Sequence, residues 1–446
     1  MKKILVLGAG LSTTSLIKYL LAHADSENWE VTLGDLDLEL AKKKLNGSPR
    51  GKAISFDICN LSTHMQHIKE ADLIVSMLPA RFHHYVAEAC LEYNKTMVSA
   101  SYIAPEIKQM DSQVREKGLL FLNELGVDPG IDHMSSMRII DEIRSKGGRF
   151  ISFKSRTGGL VAPEYDNNPW NYKFTWNPRN VVLAGQGTSM FIRNNRYKYI
   201  PYHKLFSRLE HTTIEGVGDF EIYPNRDSLK YRHTYGLCDL PTMFRGTMRR
   251  PGFSEAWNVF VQLGITDDSF VIEDSIHMTY KQFVNSFLKY DPEITVEDKI
   301  AQYTGIDPQG EIMDKIKWLG LLDDRQIGLD AATPAQILQK ILEEKWCLDP
   351  GDKDMIVMEH VLEWELDSKT FQTRSCLVVK GHNEDETAMA ITVGTPVGIA
   401  TRLILNGTIK TIGIEIPVKP DIYNPILDEL ENHGIKFVEE TTELNQ

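Results

Sequence analysis

A β-branched and apolar run at positions 3–7 leads straight into Gly8-Ala9-Gly10, and an amphipathic stretch follows at 15–22. This is the layout of a strand, a tight turn and a helix whose positive end faces an anion. Gly8 permits the turn, and Gly10, lacking a side chain, lets backbone N–H groups approach a pyrophosphate. Leu11, Ser12 and Thr13 complete the turn, with Thr13 standing where a third glycine or alanine usually packs helix against strand. Asp35 lies 22 positions beyond Thr13, near the spacing at which a carboxylate accepts hydrogen bonds from an adenosine ribose. The plainer alternatives are a generic glycine turn and a helix-capping aspartate. A carboxylate at that point repels a 2′-phosphate, and no Lys or Arg follows before Lys42, so the pattern favours NAD as cofactor, with NADP possible.

Other spacings carry less. His64 and His67 are three apart and His83 and His84 adjacent, without a convincing set of further ligands, so no metal site is expected. The five cysteines (Cys59, Cys90, Cys238, Cys347 and Cys376) are scattered without CxxC spacing, which points to a reducing cytoplasm rather than a disulfide framework. There is no Gly-x-Ser-x-Gly elbow for a serine hydrolase. A formal net charge of −13 argues against sequence-independent binding of nucleic acid, which needs surplus Lys and Arg. One stretch defies that balance. Between Tyr223 and Arg250, six basic residues face two acidic ones, a local +4.

The elements that must position these residues follow from periodicity. Runs at 3–7, 30–33, 53–57, 73–78, 96–100 and 119–122 alternate with helix-length segments, which predicts a doubly wound parallel sheet of α/β type, Rossmann-like. From 132 to 250 aromatic-rich strands and turn clusters predict an α+β domain, and from 253 to 348 the period is helical, with Thr333-Pro334 as an N-cap and first helical residue. Strands return at 354–366 and 374–380, followed by a helix rich in small residues at 388–406. A capped helix from Asn424-Pro425 and a short strand near Val438 are expected to dock back on the first domain. The 446 residues thus divide into a dinucleotide-binding Rossmann domain at 1–131 completed by 389–446, a substrate domain at 132–252 and 350–388, and a helical insertion at 253–349. No apolar run approaches the roughly 20 residues of a membrane span, and the apolar stretch after Lys2-Lys3 is too short for a secretion signal.

Where strand and helix alternation gives way, the chain reads Val98-Ser99-Ala100-Ser101-Tyr102-Ile103-Ala104-Pro105 and then Asn123-Glu124-Leu125-Gly126-Val127-Asp128-Pro129-Gly130-Ile131-Asp132-His133. With Gly158-Gly159-Leu160, Tyr223-Pro224-Asn225-Arg226-Asp227-Ser228 and Phe244-Arg245-Gly246-Thr247, these segments resemble the saccharopine dehydrogenases of the L-glutamate-forming type. The similarity covers nearly the whole chain. It implies an oxidoreductase of lysine metabolism that interconverts saccharopine with L-glutamate and 2-aminoadipate 6-semialdehyde, using NAD or NADP. It also implies a substrate domain that can dimerise, hence a homodimer.

By the same resemblance, Ser101, Tyr102, Asp128, Arg226, Arg245, Gly246 and Thr247 touch saccharopine, while Asp57, Ile58, Ala100, Ser101, Val127, Asp128, Pro129 and Thr175 line the dinucleotide. Asp128 and Tyr102 are the candidate proton-handling groups. The alternatives are an Asx turn for Asp128 and a packed aromatic for Tyr102. Asp132 and His133 read as helix-start residues rather than an acid–base pair. Saccharopine carries three carboxylates, so Arg226 and Arg245 are assigned to it, and Lys230, Arg232, Arg249 and Arg250 are left as surface or rim. The chain departs from the family at Thr157 and Val161, which replace a cysteine and a proline, and at Asp35-Leu36-Asp37, where many NADP-using members have an arginine. The competing readings are a dehydrogenase of another N-substituted amino acid, of carboxynorspermidine type, and a non-catalytic dinucleotide-binding sensor.

Overall fold

The computed structural model describes residues 1–444. The chain divides into two compact units, Met1–Arg149 with Leu377–Val438, and Phe150–Cys376 with the residues from Glu439 on.

The first unit is built on β1 (Lys2–Leu7), α1 (Thr14–Ala22), β2 (Trp29–Asp35), α2 (Leu38–Leu45), β3 (Gly51–Ser55), α3 (Met65–Glu70), β4 (Leu73–Ser76), α4 (His83–Glu92), β5 (Thr96–Ser99) and β6 (Leu120–Leu122). The strands lie in the order β3-β2-β1-β4-β5-β6, all parallel, with Gly413–Glu415 added beside β6. Ile4 to Leu7 and Leu73 to Val75 are at most 1% exposed, because a parallel sheet is covered on both faces and its strands read as continuous apolar runs. The third strand sits two residues earlier than periodicity placed it. Gly51 opens it, packed so closely on α2 that a β carbon there would stand 2.8 Å from Leu45 Cδ2.

The helix Ala388–Leu405 packs on α1. A β carbon on Gly394 would stand 2.6 Å from the Leu16 nitrogen, and one on Gly398 2.6 Å from Tyr19 Cδ1, so these two glycines set how closely the helices approach. Contrary to the sequence expectation, this helix is long and apolar enough to cross a membrane, but 78% of it is buried inside the protein, as befits a core helix. The helix Ile131–Ser145 also belongs to this unit. Its Asp141 Oδ2 accepts from the Tyr423 hydroxyl at 2.7 Å, and Arg138 reaches Asp428 at 2.7 Å.

Two expectations for the tail are corrected. The last helix runs Pro420–Asn432, with Pro420 in the first turn and Pro425 inside it. The strand Val438–Leu444 joins the second sheet rather than the first. Its residues are mostly charged or hydroxylated, unfit for a buried parallel sheet. Glu439, Thr441 and Glu443 instead pair with Ser375, Thr373 and Lys369 at 3.0, 2.9 and 2.9 Å.

The second unit contains β7 (Arg149–Val161), β8 (Thr188–Arg193), β9 (Arg196–Pro201), β10 (Glu210–Ile214), β11 (Gly218–Pro224), β12 (Thr242–Arg249), β13 (Asp354–Leu366) and β14 (Lys369–Lys380). They form a mixed sheet in the order β10-β11-β12-β7-β13-β14 ending on Val438–Leu444, with β8 paired to β12 and β9. Between β12 and β13 the chain is helical; Thr333 is an N-cap ahead of Pro334, as the sequence predicts, and it also closes a capping box with Gln336. The aromatic residues of the sequence meet here. Trp170, Tyr172, Phe253, Trp257 and Trp346 are all buried, with ring centres 5.0 to 6.1 Å apart in successive pairs. Arg156 on β7 is 6% exposed and bonds Glu359 at 2.6 Å and Glu210 at 3.1 Å, while Arg374 bonds Glu359 at 2.6 Å.

Candidate active site

The glycine turn stands at the carboxyl edge of β1. Gly8 has φ +102°, and a β carbon there would come within 2.7 Å of the Met77 carbonyl, so no other residue fits without displacing backbone. Gly10 is the reverse case: nothing lies within 4 Å of where its β carbon would be, which leaves an open approach to the backbone. Thr13 is 1% exposed and its hydroxyl donates to the Gly10 carbonyl at 2.7 Å, closing the turn from within. Leu11 is exposed and Ser12 half-buried. The turn therefore fits a dinucleotide pyrophosphate, with an uncovered glycine before the N-terminus of α1.

Asp35, at the end of β2, is engaged by backbone. Its Oδ2 accepts from Ala9 N–H at 2.6 Å and its Oδ1 from Asp37 N–H at 2.9 Å. Lys44, in the last turn of α2, donates to Thr14 Oγ1 at 2.6 Å; burial lowers its pKa, and the carboxylates of Asp385 and Asp35 oppose that shift. Asp57 follows β3, where its Oδ1 accepts from Cys59 N–H at 2.9 Å and its own N–H donates to His64 Nε2 at 3.2 Å. Ile58 beside it is buried. His64 is thus a hydrogen-bond acceptor in this turn.

Next along the same edge, the loop after β5 carries Ala100, Ser101 and Tyr102, all half-buried. Ser101 Oγ is 2.7 Å from His83 Nε2, and His83 Nδ1 is 2.8 Å from Ser76 Oγ. After β6, Glu124 Oε2 lies 2.8 Å from His133 Nε2 and Glu124 Oε1 accepts from Ile103 N–H at 3.2 Å, which ties this loop to the Ser101 loop. Val127 and Pro129 are buried and Asp128 half-buried between them. Asp132 Oδ1 accepts from Gly130 N–H at 2.6 Å in the first turn of Ile131–Ser145, the helix-start role expected of it.

The second unit gathers the basic residues. The loop after β11 is sewn to β12 at one residue: Asn225 N–H donates to the Arg245 carbonyl and Arg245 N–H to Ser228 Oγ, each at 2.9 Å. Arg226 is exposed in this loop with φ +45°. Arg245 is 3% exposed, its guanidinium 4.0 Å above the ring centre of Tyr231. At Gly246 a β carbon would stand 2.3 Å from Ile222 Cγ2 and 2.8 Å from Phe244 Cε1, so a larger residue would displace both side chains; Thr247 is half-buried.

Strand alternation puts Arg245, Thr247 and Arg249 on one face of β12. Arg249 corrects the sequence reading, which left it at the surface or rim. It is 5% exposed, lies 5.0 Å from the centre of the Tyr172 ring, and donates Nη1–H to the Met248 carbonyl at 2.8 Å; its Nε has no hydrogen-bond partner among the described residues. Across the strand pair from it, Glu221 caps the helix Phe253–Leu263 by accepting from Gly252 and Ser254 N–H. Two-residue spacing along a strand was the available signal for Arg249. Thr157 and Thr175 are buried with hydroxyls unpartnered among the described residues.

Two family models match the chain in succession: the saccharopine dehydrogenase NADP binding domain over residues 4–122, and the saccharopine dehydrogenase C-terminal domain over 126–435. The chain belongs to the saccharopine dehydrogenase family. It is 31% identical to the NADP(+), L-glutamate-forming saccharopine dehydrogenase of Schizosaccharomyces pombe and 32% to that of Saccharomyces cerevisiae, over 99% of the chain and of each relative. It is 34% identical to the mitochondrial alpha-aminoadipic semialdehyde synthase of Mus musculus, of which it spans 48%. The solved structure of the apo enzyme from Saccharomyces cerevisiae superposes with a TM-score of 0.89 at 30% identity, covering 99% of this chain and all of that one. The expected family, Rossmann-like fold and oxidoreductase function in lysine metabolism are borne out.

The preference for NAD is overturned. The matching domain is described as NADP binding, and both yeast relatives are named for NADP(+). At Asp35 the two oxygens accept from the amides of Ala9 and Asp37, so the carboxylate at that spacing is accounted for by the turn it fastens and is not by itself a mark of NAD.

Proposed function

We propose that this chain catalyses the NADP-linked oxidation of saccharopine to L-glutamate and 2-aminoadipate 6-semialdehyde, and the reverse. The observation that carries this reading is the pair of buried guanidinium groups on one face of β12, Arg245 at 3% and Arg249 at 5% exposure, in a chain of net charge −13. Two buried guanidinium groups on one strand face suit a substrate bearing three carboxylates. Arg245 and Thr247 hold one carboxylate, Arg249 a second, and Arg226 on its loop a third.

Bound NADP supplies the acceptor for the hydride that leaves the carbon beside the secondary nitrogen. The substrate is then a protonated imine; water adds to its carbon, and cleavage of the C–N bond yields the amine and the aldehyde. Asp128 accepts the amine proton before oxidation and orients the water, while Tyr102 hydrogen-bonds the nitrogen. Gly8, Gly10, Leu11, Ser12 and Thr13 form the pyrophosphate turn, Asp57, Ile58, Ala100, Val127 and Pro129 the dinucleotide walls, and Thr175 offers its unpartnered hydroxyl to the cofactor. Lys44 is assigned to the 2′-phosphate. A cytoplasmic setting, in keeping with five free cysteines, and a homodimer complete the proposal.

Steady-state kinetics with saccharopine against NADP and NAD separately test the reading. NADPH formation with NADP preferred is expected. Absence of turnover by protein that binds NADP overturns it.

A further inference from the structure

The dinucleotide-binding unit contains a buried hydrogen-bonded chain that the steps above do not use. His83, 2% exposed, stands between Ser76 Oγ at 2.8 Å from Nδ1 and Ser101 Oγ at 2.7 Å from Nε2. Ser76 ends β4 and Ser101 lies two residues beyond β5, so one imidazole joins two adjacent strand ends at the edge where open parallel sheets bind ligands. The main chain fixes the same serine from the other side, since Ser101 N–H donates to Ser99 Oγ at 3.1 Å.

Burial pushes the His83 pKa down to about 4, so the ring is neutral at physiological pH. A neutral imidazole has one donor and one acceptor, and the two serines must therefore take opposite parts. If Nδ1 carries the hydrogen, the Ser101 hydroxyl is consumed as donor to Nε2 and turns only lone pairs outward. If Nε2 carries it, Ser101 accepts from the ring and its own hydrogen is free to donate. A ligand of three carboxylates offers mainly acceptors, which fits the second arrangement alone.

We infer that His83 is a positioning residue, held as the Nε2–H tautomer by Ser76, that sets the Ser101 hydroxyl as a hydrogen-bond donor to a substrate carboxylate. This rests on the reading of Ser101 as a substrate contact. His83 touches no reacting atom; it acts through Ser101.

A double-mutant cycle tests it, with KM and kcat for saccharopine and NADPH affinity measured separately by fluorescence. Ser101→Ala is expected to raise KM about tenfold, the loss of one hydrogen bond to a charged group. His83→Leu should raise KM comparably with little change in NADPH affinity, the pair together should be no worse than Ser101→Ala alone, and His83→Gln, whose amide can donate to Ser101, should recover most of the loss. Additive effects overturn the role of His83 and leave Ser101 as a contact. An unchanged KM in Ser101→Ala overturns both. The ¹⁵N spectrum of the His83 ring in the wild-type protein with saccharopine is an independent readout, needing no variant to fold; a hydrogen on Nδ1 overturns the inference.

Discussion

Asp35 holds Ala9: its carboxylate accepts the Ala9 amide hydrogen at 2.6 Å and so fastens the end of β2 to the glycine turn after β1. Removing that carboxylate loosens a turn that any dinucleotide uses. Asp35→Ala is expected to weaken NADP and NAD about equally, roughly tenfold for a lost charge-assisted hydrogen bond, whereas Asp35→Asn, which keeps one oxygen acceptor, loses less. Lys44→Ala should weaken NADP and spare NAD. Fluorescence titration of each reduced cofactor distinguishes them, and equal losses for Lys44→Ala would sink the 2′-phosphate assignment.

Arg245 and Arg249 should differ from surface arginines in how badly they tolerate lysine. Each lies over an aromatic ring, at 4.0 and 5.0 Å, in a geometry that a planar fork satisfies and an ammonium does not. Arg245→Lys and Arg249→Lys are each expected to raise KM for saccharopine about 10- to 100-fold, the loss of one bidentate carboxylate contact, with NADP affinity unchanged. A KM within error of wild type for either variant removes that residue from the substrate site.

How legible this was in the sequence depends on the kind of signal each element left. The six first-sheet strands were readable because residues such as Ile4 to Leu7 are apolar throughout and glycines end the run. Gly8 and Gly10 announced the turn. The role of Asp35 was misread because spacing says which strand end a carboxylate occupies but not whether Ala9 N–H will take it. Arg249 was passed over because six basic residues in 28 look like a charged surface until the strand register puts Arg249 on the same buried strand as Arg245, facing the same way. His83 left no periodic trace: its partners are 7 and 18 residues away, and only the packing of β4 beside β5 brings them to one ring.

The ionic cluster on β7 and β13 should be costly to break. Glu359 is 1% exposed and serves both Arg156 and Arg374 at 2.6 Å. Glu359→Ala leaves two cations facing each other without their shared anion, and a loss of about 3–5 kcal/mol is expected from urea unfolding. A change below about 1 kcal/mol would mean that water replaces the carboxylate.

Stability should also depend on pH through His83. Its pKa falls from the ordinary 6.5 to about 4 in the folded chain, through burial, so between those values the unfolded chain binds a proton that the folded chain refuses. Its contribution is fully present above pH 6.5 and is lost as pH falls toward 4, amounting to about 3 kcal/mol at most. Urea midpoints of wild type and His83→Gln measured across this window should converge as pH drops; parallel curves would show that the ring titrates normally.

The chain's route through its two units limits how it can be made and divided. The helix that lies against α1 comes from residues 388–405, and Gly413–Glu415 extends the first sheet, whereas the closing strand Val438–Leu444 returns to the other one. On the ribosome, the first six strands therefore emerge hundreds of residues before the segment that shields them. A gene fragment ending near Arg149 encodes a sheet with one flank bare, and it should be recovered from cells as aggregate unless residues 377–438 are supplied alongside it.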